Sequence, residues 1–363
     1  MYLKILLLFL LVLYFTGIAS AGDEVQINKM IKDSSGTVQL KGKTYLIEKP
    51  IQMKSGVTLQ GVTGKTTFFL KENSNWDVWV PLIDGTNLKN VKIRCITFNM
   101  DCDKQKVPYA KGYHNVIFLK GCSNVEVDSC TFINGRGDGA RFKSCKKVKV
   151  HDNIAKCLGH DGFYAVDCND VNIYSNKVTT RKNAGIRDWN SVNVRIYRNT
   201  VNAQLDGRGG YAGIQIEYSK YFKDPNVEIS KNVLTKTWGP GAQLIAYSQG
   251  LRINKGAVIK QNKFLKCGQS HNIVDTGGIS IKGLDGAIII NNVGDGCRNA
   301  FIFVYSGGDG TLIKGNTIKN TKVHVAKKLA GTGTGIDNWA GSNLKVYGNS
   351  FSNNVNGDTY NVD

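Results

Sequence analysis

A handful of side chains in the middle of the chain can move protons or hold charge, and their spacing makes them a set. Asp138 in "GRGDGA" precedes Asp161 in "CLGHDGFYAVDC" by 23 residues, and Arg141, Tyr164 and Arg187 follow one another at the same interval. His160 stands beside Asp161. Guanidinium forks neutralise a carboxylate, an imidazole and a phenol transfer protons, and two like charges brought close share a proton or hold a divalent cation. These are the parts for acid–base chemistry on an anionic substrate. Asp-Gly pairs are also ordinary turns, so the elements that carry these residues must bring them together.

The same interval runs through the chain as a repeat. "NVEV" begins at Asn124, "KVKV" at Lys147, "DVNI" at Asp170 and "NVRI" at Asn193, each 23 residues on. Further copies begin at Asn226, Ala257, Ala287, Thr311 and Asn343 with longer connections, and at Gly56 and Asn90 upstream. An asparagine follows each copy at Asn153, Asn176, Asn199, Asn232, Asn262, Asn292, Asn316 and Asn349, with Cys130 in that slot one copy earlier. A second strand then recurs, as "GARFKSC", "GFYAVDC", "AGIRDWN", "AGIQIEY", "GAQLIAY", "GGISIKG", "NAFIFVY" and "GTGIDNW". A fixed period of this length with stacked amides describes an all-β, single-stranded right-handed parallel β-helix of about 23 residues per coil. Residues 24–32 suit a short helix capping the open N-terminal edge.

In such a coil, residues one repeat apart stack at about the strand spacing of 4.8 Å. Asp138 and Asp161 then become neighbours, Arg141, Tyr164, Arg187 and Gln215 form one column, and Lys143, Val166, Trp189 and Glu217 another. Alternation places Ala140, Phe163, Ile186 and Ile214 inside and both columns outside, which predicts an exposed patch over three or four coils; the same register turns Asp188 inward. A loop carrying Asp206, Arg208 and Tyr211, and Trp238 on a turn stiffened by Pro240, flank it. Walls, aromatic platforms and charges of this kind suit a sugar chain. Cys122, Cys145 and Cys168 also stack, close enough for one disulfide or for three buried thiols.

Composition sets the surroundings. The first 21 residues join one charge, an apolar run and Ala19-Ser20-Ala21, the grammar of a secretory signal too short to span a bilayer. We expect 1–21 to be that signal, 22–363 to be one domain, and the protein to be secreted or on the cell surface, without stable membrane insertion. Loss of Lys4 with the signal leaves +18 of the formal charge of +19. That field attracts polyanions, and for an exported chain an acidic polysaccharide is the expected partner rather than nucleic acid. Nine cysteines are too few for a disulfide scaffold, and no zinc spacing is present.

From about Thr37 to Tyr360 the sequence resembles the pectate-lyase-like superfamily of right-handed β-helices. "LGHDGFYA", "NAGIRDWNSVNV", "AGIQIEYS" and "TWGPG" are similar more narrowly to disaggregatase-type proteins of methanogenic archaea. That resemblance implies depolymerisation of an acidic, uronate-containing matrix polysaccharide. The Tyr-Gly-Phe-Asp-Pro-His block of mannuronan epimerases and the sequence blocks of polygalacturonases are absent, so catalytic residues are not carried over from either family.

The residues support three functions. In a polysaccharide lyase, Arg141 and Arg187 would clamp the uronate carboxylate while His160 and Tyr164 act as base and acid. Asp138 and Asp161 would recruit Ca²⁺ or share a proton; no other cofactor is expected. In a glycoside hydrolase the carboxylate pair would come from Asp138, Asp161, Asp188 or Glu217. A non-catalytic surface protein would hold anionic glycan by charge and stacking. In each, Arg141, Lys143, Trp189, Gln215, Glu217, Arg208 and Trp238 would line the sugar.

Overall fold

The computed structural model describes residues 22–74, 77, 79–105, 115–180, 182–203, 212–247, 257–270, 276–324 and 331–362. Short strands of alternating burial wind into three parallel sheets of 12 strands each. The first runs from Thr37–Gln39 to Lys345–Tyr347, the second from Thr44–Ile47 to Ser350–Ser352, and the third from Ile51–Gln52 to Thr359–Tyr360. Every coil gives one strand to each sheet, as the all-β reading requires. The second sheet is an addition to the two strands per coil legible in the sequence. Its strands, such as Thr131–Ile133 and Lys177–Thr180, are three to five residues long and follow directly on the asparagine slot.

The register is the predicted one. Val125, Val148, Val171, Val194 and Val227 pair in succession along the first sheet, and all five are buried. Corners between sheets fall at residues with left-handed backbone, among them Ser144, Asp167 and Asn190 at one corner and Asp152, Ser175, Arg198 and Lys231 at the next, and Asn124, Lys147, Asp170 and Asn193 hold the same conformation near the start of the first-sheet strands. Short polar residues and glycine bear that conformation at least cost, which explains the abundance of Asn and Gly.

The asparagines stack as expected. Each from Asn153 to Asn316 donates its amide to the next one's Oδ1 at 2.9–3.0 Å, through seven links ending at Asn349. Cys130 occupies the slot below, its N–H donating to Asn153 Oδ1 at 2.9 Å. The helix Glu24–Asp33 buries Ile27 and Ile31 against the first coil. Around it Asp23, Glu24 and Asn28 accept the strand-edge N–H groups of Leu46, Glu48 and Gln52 at 2.8–3.1 Å. A bare edge would leave those donors open to another chain. Cys122, Cys145 and Cys168 stack as free, buried thiols, with no disulfide between them.

Candidate functional site

The third sheet positions the chemistry. Arg141, Tyr164, Arg187 and Gln215 pair in register, as do Lys143, Val166, Trp189 and Glu217, while Ala140, Phe163, Ile186 and Ile214 are fully buried on the inner side. Asp138 and Asp161 sit in the turns that lead into the strands. Gly162 is required there, because a Cβ would lie 2.4 Å from the Gly185 carbonyl oxygen and 2.5 Å from Val178.

Those turns form a ladder of their own. Asn115 Oδ1 accepts the Asp138 N–H at 3.0 Å, Asp138 Oδ1 the Asp161 N–H at 3.0 Å, and Asp161 Oδ1 the Ala184 N–H at 2.9 Å. One oxygen of each carboxylate thus fixes the next coil. His160 folds onto the same pair, with Nδ1 2.5 Å from Asp138 Oδ1 and 3.1 Å from Asp161 Oδ2, and Nε2 3.2 Å from the Asn183 amide. Asp161 Oδ2 in turn lies 3.7 Å from Arg187 Nη1. Arg187 clasps Glu217 with both arms, Nε to Oε1 at 3.0 Å and Nη2 to Oε2 at 2.8 Å, and Gln215 also donates to Glu217. The Tyr164 ring is held between Arg141 and Arg187, 4.9 and 4.8 Å from their guanidinium carbons.

This packing corrects the expectation of an exposed patch. Asp138, Asp161, Tyr164, Gln215 and Glu217 point away from the core but are between 0 and 5% exposed, and only 14% of the Arg187 side chain is accessible. The outward columns bury one another because opposite charges and rings alternate along them. Arg187 is therefore no open clamp, since its fork is spent on Glu217. Arg141, Lys143, His160, Trp189 and Trp238 remain partly accessible. Arg141 and Lys143 form no hydrogen bond or ion pair among the described residues, and Arg141 Nε is buried without a partner. Arg208, with Asp206 and Tyr211, lies outside the described residues.

Burial and charge set the proton affinities. Burial pulls the His160 imidazolium down most strongly, but the Asp161 charge and the hydrogen bonds to Asp138 and Asp161 outweigh it, leaving a pKa of about 10. Burial pushes the Asp161 and Glu217 carboxyls up, against the pull of His160 and Arg187 on the first and of Arg187 on the second. Burial likewise raises the Tyr164 phenol, with both flanking arginines pulling the other way. Arg187 is raised further despite its burial, by Asp161 and Glu217. Asp188 points inward as the register requires, fully buried, and is pushed up to about 7.

Several contributors carried no usable signal in the sequence. Asn115 and Asn183 are two asparagines among many until the turns stack. Tyr247 packs on Trp189 with ring centroids 5.8 Å apart and an interplanar angle of 25°, forming an aromatic shelf braced by Trp189 Nε1 on Ser219 Oγ at 3.2 Å. Tyr247 follows the strand Ala242–Ala246, and the column of Val166, Trp189 and Glu217 continues to Ile245 rather than to Tyr247, so the register gives no sign of it. Trp238 sits half-buried on the turn before the strand Ala242–Ala246.

Comparison with known proteins places this geometry in context. Residues 84–256 match a family described as right handed beta helix region, and residues 224–363 one described as disaggregatase related. No curated protein sequence matches the chain. Similar solved structures include a hyperthermoactive exopolygalacturonase of Thermotoga maritima, at 12% identity and a TM-score of 0.58 over 93% of this chain and 86% of that one. The A-module of an Azotobacter vinelandii mannuronan C-5 epimerase gives 13% and 0.57 over 94% of each chain. A surface adhesin of Streptococcus pneumoniae gives 14% and 0.61 over 94% and 90%. Likeness at such identities establishes fold and nothing finer. The chain is a right-handed parallel β-helix protein, in keeping with the pectate-lyase-like resemblance, and its residues 224–363 carry the disaggregatase-related sequence.

Proposed function

We propose that the protein degrades an acidic, uronate-containing polysaccharide by β-elimination on the outer face of the third sheet. The observation that carries this reading is an asymmetry of access. The accessible groups are cations and aromatics, Arg141, Lys143, His160, Trp189 and Tyr247, whereas the carboxylates of the cluster, Asp138, Asp161 and Glu217, are at most 1% exposed. A hydrolase needs two carboxyl groups in reach of the glycosidic bond, and burial and pairing count against Asp161 and Glu217 in that role.

In the elimination, Arg141 and Lys143 meet the uronate carboxylate and stabilise charge developing beside it. His160, held through Nδ1 by Asp138, takes the C5 proton at Nε2 when neutral. The electron pair forms the C4–C5 double bond, the C4–O bond breaks, and the departing oxygen takes its proton from the His160 imidazolium formed in the same step, since Tyr164, only 3% exposed between Arg141 and Arg187, is closed off from the substrate. Arg187 and Glu217 hold the Tyr164 ring and Asp161 in place. Trp189 and Tyr247 supply the shelf for the sugar ring, with Trp238 as a further position along the chain of sugars.

Ca²⁺ at Asp138 and Asp161 finds less support. Calcium takes six to eight oxygens, whereas the Oδ1 of each carboxylate already accepts a backbone N–H and Asp161 Oδ2 faces His160 and Arg187, so that Asp138 Oδ2 and Asp161 Oδ2, the two that accept no backbone N–H, fall well short of that number. No step is routed through an ion. Export to the cell surface, with 1–21 as the signal, belongs to the same proposal. Among the described residues no helix is long and apolar enough to cross a membrane.

The test is incubation of the protein with polygalacturonate, alginate and other uronate polymers, with and without chelator. We expect shortening of the polymer together with the ultraviolet absorbance of an unsaturated uronate, unaffected by chelator, and lowered about 10²-fold by Arg141→Ala. New reducing ends without that absorbance would mean hydrolysis, and unchanged polymer length would mean a binding protein.

A further inference from the structure

We infer a second anionic-sugar site on the first sheet, away from the groove. Along the outer face of that sheet His151, Tyr174 and Tyr197 are register partners. They stack with centroids 4.6 and 4.9 Å apart and interplanar angles of 9° and 6°. The next partner of Tyr197 is Ser230, where the aromatic column stops. The step from ring to hydroxymethyl opens a pocket of about 360 Å³ against the unstacked face of Tyr197. That is the low end of the range for small-ligand pockets, about 300–1,000 Å³, and suits one sugar ring laid on the tyrosine.

The lining is strongly basic. Arg198, Lys231 and Lys260 converge on the pocket around a single carboxylate, Glu228. Glu228 is already held by Lys260 Nζ at 2.9 Å and by Ser230 Oγ at 2.7 Å. Arg198 and Lys231 have no ion pair or side-chain hydrogen bond among the described residues, and both are exposed. Their backbone placement is the independent observation. They occupy a left-handed corner, with φ of 57° each, where other coils carry Asp152, Ser175, Asn291 or Gly315. Long side chains are disfavoured there and short polar ones or glycine preferred. Lys147, Lys236 and Lys266 bear the same conformation elsewhere, but at this corner the long side chains Arg198, Lys231 and Gln261 follow one another on three successive coils and all three line the pocket, where the two cations gain no internal contact.

The chemistry fits a uronate residue of a glycan. The pyranose packs on Tyr197, its carboxylate meets Arg198 and Lys231 through charge-assisted hydrogen bonds, and Glu228 and Ser230 Oγ accept from its hydroxyls. A nucleic-acid phosphate would meet the same cations, so single-stranded DNA is the comparison ligand in the test. The site would hold a polymer strand to one face while another segment is processed on the third sheet, and its ligand class does not depend on which reaction occurs there.

The experiment measures affinity of the full chain for the uronate-polymer panel by calorimetry, at fixed low salt. The variants are the double change Arg198→Asn with Lys231→Asn, and Tyr197→Ser. Asparagine suits the left-handed corner, so the double variant should melt at or above the temperature of the parent. We expect each variant to weaken binding of at least one uronate polymer by about tenfold or more, the factor of one charge-assisted hydrogen bond, with cleavage of short oligomers unchanged. Unchanged affinity for every polymer in the panel would overturn the site. So would a double variant that loses single-stranded DNA and uronate polymer equally while Tyr197→Ser loses neither, which would reduce the pocket to a general positive field.

Discussion

Replacing Arg187 tests whether the outward columns are a surface or a buried network. If Arg187 were an ordinary surface cation, Arg187→Met would change stability by no more than about 0.5 kcal/mol. The geometry demands more. Glu217 is fully buried, both its oxygens are bound by Arg187 at 2.8–3.0 Å, and Asp161 lies 3.7 Å from the same guanidinium. Removing one partner of such a pair strands the other charge, at a cost of about 3–5 kcal/mol. In a chain this long a kcal/mol moves the midpoint by roughly 1.5–2 °C, so the midpoint of thermal unfolding followed by circular dichroism at neutral pH should fall by about 5–10 °C. Glu217→Gln alone should cost less, since Arg187 keeps an oxygen acceptor and the Asp161 charge. The double variant should recover at least about 2 kcal/mol of the Arg187→Met loss, because no carboxylate is then left unpaired at Glu217. The loss should also shrink in acid, where the stranded Glu217 takes up a proton. An Arg187→Met protein as stable as its parent, or a double variant no better than Arg187→Met, would refute the buried-network reading.

Three further outcomes follow from the proton affinities. With His160 at about 10, kcat/KM for elimination should rise about tenfold per pH unit from neutrality toward that value as the neutral imidazole accumulates; a profile flat above neutrality would remove His160 as the base. The same shift lies above the ordinary histidine value of about 6.5, so its stabilising contribution is complete below that pH and is lost as pH rises toward 10, and His160→Gln should flatten this part of the stability curve. Asp188, fully buried and pushed up to about 7 from the ordinary value of 3.8, favours folding while protonated and loses that contribution as pH climbs from about 4 to 7. Asp188→Asn should therefore raise the melting temperature at pH 8 relative to the parent by more than at pH 4; an equal effect at both would mean that burial does not raise the carboxyl.

The fold was legible because its signals are periodic. The interval from Asn124 to Asn193, the asparagine slot and the alternation within "GFYAV" each report the same register, and hydrogen bonding between backbones one coil apart leaves no second way to satisfy them. The second sheet escaped because its strands, Thr131–Ile133 and its successors, are too short for alternation to stand out. Within the site, the register placed Arg141, Tyr164 and Arg187 in one column and turned Asp188 inward. Exposure was not legible, because it depends on what neighbouring columns carry. Arg187 and Glu217 stand on different coils and in different columns, 30 residues apart, and their side chains meet diagonally across the sheet, a contact that column spacing alone does not report.

That diagonal contact separates two kinds of position on a β-helix surface. Where adjacent columns alternate in charge, as with Arg187, Glu217 and Asp161, the side chains satisfy one another and close over the sheet, becoming support for whatever stands beside them. Where a column ends abruptly or its neighbour has no opposite charge, functional groups stay open. Arg141, packed on the Tyr164 ring, and Lys143 stand at the edge of the third-sheet cluster without an ion pair or hydrogen bond among the described residues, and Tyr197 presents a bare face where Ser230 replaces the next ring. Both positions are cationic and beside aromatic rings, on separate faces of one rigid coil. A polymer longer than a few sugars can reach both without any hinge in the protein, so residues that break the pattern of a column mark function more reliably here than residues that continue it.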